Sequence, residues 1–459
     1  MKAPAKKTWL CFASLLLLAF QPQLKAQQKQ ANKPNILLLL TDDAGYADFS
    51  FMTNRLVPTP NIDWIAKQGV KFTNAYVTGA VCSPSRAGLL TGINQAEFGH
   101  TFNYIQGVKY NIEQKDFGIA LDKKLVGNYL KPLGYTSGIV GKWHEGFSEA
   151  YQPNQRGFDY FWGFLWGSSP YYTGKAKLVL EDGVHIDADS IPYMTDAIGN
   201  KAVDFINHHQ SDPFFLYVSF NAPHTPMQAK PEYLEKTIDK FPVKGRAINA
   251  AMTMSIDENV GKIIETLRSN GQLDNTLIVF ANDNGGQIEA SFADNYPLRG
   301  KKGDVYEGGI RVPMSMMWKG HIPAGMEFNS PVSTLDFIPT FLGAAGSGKP
   351  KNTELEGINL LPFLEKKETA PAPVQNRIMY WYVGIDKGSL RNGDWKLVCL
   401  PSKEPELFNL KADIAETTEL SAKYPDVKKK LYAAYLKWKN SLPTPTWIPD
   451  KEELRTEIH

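Results

Sequence analysis

The sequence predicts an α/β protein: a large doubly wound domain with a mixed, mainly parallel sheet, then a smaller C-terminal α+β subdomain of antiparallel sheet and helix. Three observations carry this. The runs Ile36–Leu40, Tyr135–Val140, Phe214–Phe220 and Leu277–Phe280 read as strands, and each stops at polar, chemically capable residues. Ile36–Leu40 is apolar without a break, as a strand covered on both faces of a parallel sheet should be. Between such runs lie amphipathic stretches: Ile256, Val260, Ile263, Ile264 and Leu267 share one helical face, and Gly271 is a stop. After Pro373 the texture changes. Ile378–Tyr382, Trp395–Leu400 and Glu406–Leu410 read as short strands joined by polar turns, and a last helix carries Val427, Leu431, Ala434 and Trp438 on one face.

Taken in order, the chain begins with Lys2, Lys6 and Lys7, an apolar stretch Trp9–Phe20 and then Leu24-Lys25-Ala26. That pattern is a secretory signal peptide over 1–26, cut after Ala26. A linker over 27–34, a catalytic domain over 35–373 and a C-terminal subdomain over 374–459 complete the expected organisation. The apolar core of the leader is too short to span a bilayer, and no later stretch is long enough, so no membrane span is expected. The mature chain is expected to be exported, periplasmic or secreted. Cys11 leaves with the leader, and Cys82 and Cys399 are too few for a disulfide framework. Cys399, inside a strand-like run, reads as a buried inert thiol. At 459 residues the chain exceeds one ordinary core. Its 50 Lys and Arg against 48 Asp and Glu give no concentrated basic surface, which excludes a nucleic-acid partner.

In open α/β sheets the reactive crevice lies outside the carboxyl ends of the strands. Thr41-Asp42-Asp43, Gly141-Lys142-Trp143-His144, Asn221-Ala222-Pro223-His224 and Ala281-Asn282-Asp283-Asn284-Gly285-Gly286 are therefore expected to face one cleft. Asp42, Asp43, Asp283 and Asn284 offer only oxygen. Such a set selects a hard divalent cation, Ca2+ first and Mg2+ second, over zinc. An isolated Asp-Asp at a strand end is usually a turn or a cap; two such groups on either side of Cys82 favour a site. Cys82 itself stands just ahead of a short helix, with Ser83 as the expected cap, Pro84 in the first turn and Gly92 as the stop. Its thiol is thus expected at the positive end of that helix, where anions settle.

Cys82-Ser83-Pro84-Ser85-Arg86 with Leu89-Leu90-Thr91-Gly92, followed by Gly134-Tyr135-Thr136-Ser137-Gly138-Ile139-Val140-Gly141-Lys142-Trp143-His144, resembles the two signatures of the formylglycine-dependent sulfatases. These are type I sulfatases of the alkaline phosphatase superfamily. The similarity runs over nearly the whole mature chain, through Ala222-Pro223-His224, Asp283-Asn284-Gly285, Leu298–Gly303, Glu307–Pro313 and Asn392–Val398. Two departures stand out: Glu145 follows His144 where a leucine is usual, and Ala281-Asn282 replaces a commoner Thr-Ser. Glu145 is close enough to the signature to alter substrate choice.

The resemblance implies a secreted bacterial polysaccharide sulfatase that hydrolyses sulfate esters of a sulfated polysaccharide or oligosaccharide. It implies a formylglycine-generating maturation enzyme as partner, which oxidises Cys82 to 3-oxoalanine (formylglycine). Hydrated to a metal-bound diol, that group attacks sulfur, and collapse of the second hydroxyl expels sulfate. The implied metal ligands are Asp42, Asp43, modified Cys82, Asp283 and Asn284. Arg86 would hold the diol, Lys142 and Lys302 the sulfate oxygens, His224 would protonate the leaving oxygen and His144 would collapse the diol. Family spacing favours Lys302 over Lys301. His100 and Asn103 are candidate saccharide contacts, whereas the aromatic run Phe161–Trp166 reads as core before it reads as a sugar platform. The same motifs fit a phosphate or phosphonate ester hydrolase on the same formylglycine, or an inactive secreted glycan-binding protein. The full set of catalytic residue types speaks against the last.

Overall fold

A computed structural model describes residues 33–450 apart from 54–56, 106, 173–178, 352 and 367–371. The signal peptide over 1–26 and most of the linker lie outside the described residues. Ten strands form the main sheet, in edge-to-edge order Met326–Phe328, Val70–Phe72, Met314–Met317, Thr276–Asn282, Asn35–Thr41, Phe214–Ser219, Thr136–Lys142, Tyr160–Phe164, Val179–Glu181 and Val184–Ile186. The five from Thr276–Asn282 to Tyr160–Phe164 run parallel. Antiparallel pairings join the remaining strands on both sides, except that the edge strand Met326–Phe328 runs parallel to Val70–Phe72. The mixed, doubly wound sheet expected from the sequence is therefore present.

The Asn35–Thr41 strand explains why an unbroken apolar run belongs at the centre. Ile36, Leu38 and Leu40 pack on one face with Ala87, Leu90, Phe337 and Phe341. Leu37 and Leu39 pack on the other with Ile256, Val260 and Ile263 of the Lys244–Ser269 helix. Both faces are dry, and each fully buried Leu or Ile is worth roughly 1.5–3 kcal/mol. The Phe161–Trp166 run behaves as core: Phe161 and Leu165 fill one face, Trp162 and Phe164 the other, and Trp166 leans on Phe147.

The C-terminal sheet has four antiparallel strands, Ile378–Val383, Lys387–Asn392, Trp395–Cys399 and Glu406–Asn409. One face takes Leu431, Tyr435 and Trp438 of the Pro425–Lys439 helix, and Cys399 lies buried there as expected. The other face presses Trp381, Val398 and Phe408 onto Tyr76, Val305, Ile310 and Val312 of the main body. A buried charge cluster crosses the same seam. Lys396 Nζ lies 2.8 Å from both Glu307 Oε1 and Glu416 Oε1. Tyr76 donates to Glu307 Oε2 at 2.6 Å, and Arg311 Nη1 reaches the same oxygen at 3.2 Å.

The strand expected over Tyr135–Val140 runs on to Lys142, so the signature lysine is itself a strand residue. Ser83 is not the helix cap: the helix is Cys82–Thr91, capped at Val81, and wholly buried. Gly92 does stop it, with φ 70° and its N–H on the Gly88 carbonyl. The helix thus starts two residues earlier than expected, and Ser83 bonds His100 and Asn103 instead of capping.

Candidate active site

The polar residues at the carboxyl ends of the central strands converge on Cys82. The Cys82 thiol lies 3.3 Å from Asp42 Oδ1 and 3.7 Å from Asp43 Oδ1. Lys142 Nζ donates to Asp42 Oδ2 at 2.7 Å, and Lys302 Nζ donates to Asp43 Oδ2 at 2.7 Å. His224 Nε2 stands 3.5 Å from that same Asp43 oxygen. Lys301, the alternative lysine, turns outward onto Glu289, so the geometry brings Lys302 to the cluster. Asp43 adopts φ 64°, a left-handed backbone that turns its carboxylate back under the strand end.

Arg86 is one helical turn past Cys82 and fully buried. Its Nε and Nη2 fork onto Asp283 Oδ2 at 3.0 and 2.9 Å, while Nη1 donates to Ser219 Oγ at 2.6 Å and Tyr217 OH at 3.1 Å. Tyr217 and Ser219 were not identified from sequence; the hint was a polar Ser219 inside the apolar run Phe214–Phe220. Asn284 Nδ2 donates to Asp43 Oδ1 at 2.7 Å, and Asn284 Oδ1 is buried with no hydrogen-bond partner. A close backbone approach delivers Lys302 here. A Cβ on Gly285 would meet the Gly308 carbonyl oxygen at 1.8 Å, and Gly285 N–H bonds to the Gly309 carbonyl at 2.9 Å. Only glycine allows the Asp283-Asn284 turn and the Glu307–Ile310 helix to lie back to back, and Lys302 N bonds the Gly286 carbonyl at 3.2 Å.

Charge balance inside this buried site is strongly skewed. Burial pushes Asp43 up, but Lys302 and His224 outweigh it and hold its carboxyl well below the usual range. Burial also works against the Lys302 ammonium, and Asp43 more than compensates, so Lys302 keeps its proton. Burial raises the Cys82 thiol well above its ordinary value despite Lys142 and Lys302. Burial, helped by Asp42, moves Asp283 up to about 6 against Arg86. His144 is pushed well down by burial and then by Lys142 and Arg86.

Both histidines have assignable tautomers. His224 Nδ1 faces the Thr225 carbonyl at 2.7 Å, so it carries the proton and leaves Nε2 toward Asp43. His144 Nε2 faces the Tyr104 carbonyl at 3.4 Å, while its Nδ1 is buried without a partner. His100 departs from expectation. It is 1 % exposed, its ring is edge-on to Trp447 at 4.4 Å between centroids, and Nε2 bonds Ser83 Oγ at 2.6 Å. Burial drives it down to about 3, so it is a neutral interior residue. Asn103 likewise turns inward, accepting from Ser83 N at 2.9 Å.

The donors could hold a metal ion. Asp42, Asp43, Cys82 and His224 offer ligand atoms within 4.8 Å of one another, and the orphaned Asn284 Oδ1 is a further oxygen donor. The sequence points to His224 for proton transfer and substrate binding and not as a metal ligand; its ring nitrogen sits within the same ligand group.

Paired carboxylates under a cationic rim, at the strand ends of a doubly wound sheet, define a type I sulfatase of the alkaline phosphatase superfamily. The chain belongs to the sulfatase family, whose model matches residues 34–347. A second family model, the N-sulphoglucosamine sulphohydrolase C-terminal region, matches residues 301–440. A sulfatase of Escherichia coli K12 with no assigned substrate is 31% identical over 403 residues, covering 76% of this chain and 69% of its own. Human N-acetylgalactosamine-6-sulfatase is 33% identical over 362 residues, covering 74% and 67%. Among solved structures, Ps i-CgsB in complex with k-i-k-neocarrahexaose superposes with a TM-score of 0.85 at 34% identity, covering 92% of this chain and 96% of that one. The protein is a sulfuric ester hydrolase.

Proposed function

We propose that this chain removes sulfate from a sulfated polysaccharide or its oligosaccharides, using formylglycine made from Cys82 and a divalent cation, calcium before magnesium. The observation that carries this reading is the convergence of Lys142, Lys302 and His224 on the acid pair beside Cys82. Similarity to a structure bound to k-i-k-neocarrahexaose and to N-acetylgalactosamine-6-sulfatases supports a saccharide as the alcohol part of the ester.

Asp42, Asp43, Asp283, Asn284 and position 82 would hold the cation, which when bound draws charge from sulfate oxygens and makes a bound hydroxyl easier to deprotonate. Formylglycine supplies an oxygen nucleophile where the thiol now stands. The remaining work belongs to the chain. Lys142 and Lys302 offset the carboxylates and place two ammonium groups where charge grows on the sulfate oxygens in the transition state. Arg86 fixes Asp283 by its planar fork. His224, anchored through Nδ1, presents Nε2 to the departing sugar oxygen and acts as its acid only once that nitrogen is protonated too, a charge that burial opposes and Asp43 favours; Lys302 stands beside it. His144 keeps a bare Nδ1 lone pair, which suits a base. The leader expected over 1–26 implies export, and a maturation enzyme would be a transient partner.

The test pairs two measurements on purified protein. Peptide mass spectrometry should find formylglycine at Cys82, and sulfate release should appear on a panel of defined sulfated saccharides. Full activity with an intact Cys82 thiol would overturn the nucleophile. Faster turnover of nitrophenyl phosphate than of nitrophenyl sulfate would move the protein to phosphate or phosphonate esters.

A further inference from the structure

We propose that Glu145 is a positioning residue that, through Ser83 and His100, sets the spacing between Cys82 and the Lys142–His144 strand end. This rests on the sulfatase reading above and concerns a group that reading leaves idle. Glu145 Oε2 lies 3.5 Å from Ser83 Oγ and 3.5 Å from His100 Nε2, and Ser83 Oγ lies 2.6 Å from His100 Nε2. Three polar side chains thus meet in one small triangle, and none of them exceeds 1 % exposure.

The triangle is sealed. The His100 ring packs edge-on against Trp447 and Phe117, with centroids 4.4 and 6.0 Å away. The charged groups nearest Glu145 are Arg86, Lys142 and Arg156, yet burial outweighs them and raises its carboxyl well above the ordinary range. A neutral acid beside a neutral imidazole gives a hydrogen-bonded set without net charge. The proton order is consistent: His100 Nε2 donates to Ser83 Oγ, and Ser83 donates to Glu145 Oε2.

The geometry joins three distant parts of the chain. Ser83 follows position 82 directly, and its N–H is already held by Asn103 Oδ1 at 2.9 Å. Glu145 follows His144 directly and stands three residues past Lys142. The contact between Ser83 and Glu145 therefore links the two signature segments. A leucine in this place would fill the volume and make no bond. A buried carboxyl left partly unpaired, with Oε1 lacking any partner, costs stability. A polar group kept at such cost fits a demand for geometry rather than for packing.

The experiment compares Glu145→Leu, Glu145→Gln and Ser83→Ala, alone and combined, with formylglycine content at position 82 measured in each so that rates refer to matured enzyme. On nitrophenyl sulfate, Glu145→Leu should lower kcat about 10- to 100-fold with KM little changed, the scale of a displacement near 1 Å at reacting groups. Glu145→Gln keeps a donor and an acceptor and should stay within about threefold of the parent. Ser83→Ala combined with Glu145→Leu should be no slower than the worse single variant, because both cut one contact. Hydrogen exchange of the first-turn amides of the Cys82–Thr91 helix, which needs no activity, should rise in Glu145→Leu and not in Glu145→Gln. Unchanged kcat and exchange in Glu145→Leu, additive losses, or a Gln variant as poor as Leu would overturn the proposal. A parent that releases no sulfate would instead overturn the functional reading, with the exchange comparison still deciding the role of Glu145.

Discussion

Removing the Lys396 ammonium should destabilise the protein at neutral pH and do so progressively less as the pH falls. Lys396, Glu307 and Glu416 are fully buried, and the ammonium lies 2.8 Å from a carboxylate oxygen of each acid. Burial pushes Glu307 up from 4.5, but Lys396, then Arg311 and Arg391, outweigh it and hold it at about 2. A difference of that size is worth about 3 kcal/mol. Breaking a buried pair from one side costs a similar amount, about 3–5 kcal/mol. The sign follows from the depressed carboxyl. Its contribution is complete above pH 4.5 and is lost as the pH falls toward 2. In Lys396→Met the Glu307 carboxyl loses its largest counter-charge and rises, and Glu416, already raised to about 7 by burial against the pull of Lys396, moves further up. Both acids then cost stability at neutral pH and stop doing so once protonated. Urea titrations at pH 7 and pH 5 measure this directly. A deficit under about 1 kcal/mol at pH 7, or one that does not shrink at pH 5, would refute the argument.

Two further outcomes follow from the site. Chelation should abolish sulfate release, calcium or magnesium should restore it, and a hundredfold excess over Kd should stabilise the folded protein by about 2.7 kcal/mol. Asp283→Ala should lose both effects while remaining folded, as read by calorimetry with and without added calcium. His224→Ala should slow a sulfated sugar roughly 100- to 10,000-fold more than nitrophenyl sulfate, because only the sugar oxygen needs a proton to leave. An equal loss on both substrates would pass the acid role to Lys302.

Much of this molecule was legible in its sequence because the central strands are covered on both faces. Ile36–Leu40 has no polar side to confuse the reading, and the residues after it could only be a strand end. The Lys387–Asn392 strand was missed for the opposite reason. Lys387-Gly388-Ser389-Leu390-Arg391-Asn392 has little intrinsic strand preference, and its neighbours on both sides impose the conformation. Ser83 was misread as a cap because local pattern favours capping, whereas its hydroxyl is taken by His100 from 17 positions away. The same contact turns His100 from a candidate sugar ligand into an interior residue. Glu145 was visible as a departure, but its partners were not, since no spacing rule links Ser83 to Glu145. Lys396 and Glu416 carried no signal at all: each is an ordinary charged residue until the small sheet docks on the main body.

The acid pair and its counter-charges come from opposite ends of the chain. Asp43 and Lys302, bonded to each other, are 259 positions apart, and Arg86 and Asp283 are 197 apart. Any fragment that holds the whole constellation must run at least from Asp42 to Lys302. Closing loops of that length is entropically costly, so these contacts form only together with the sheet that brackets them. Affinity for a cation should therefore appear in one cooperative step during refolding, after collapse and with the last central strand. A metal-sensitive dye would then report completed topology in a way that secondary-structure content cannot.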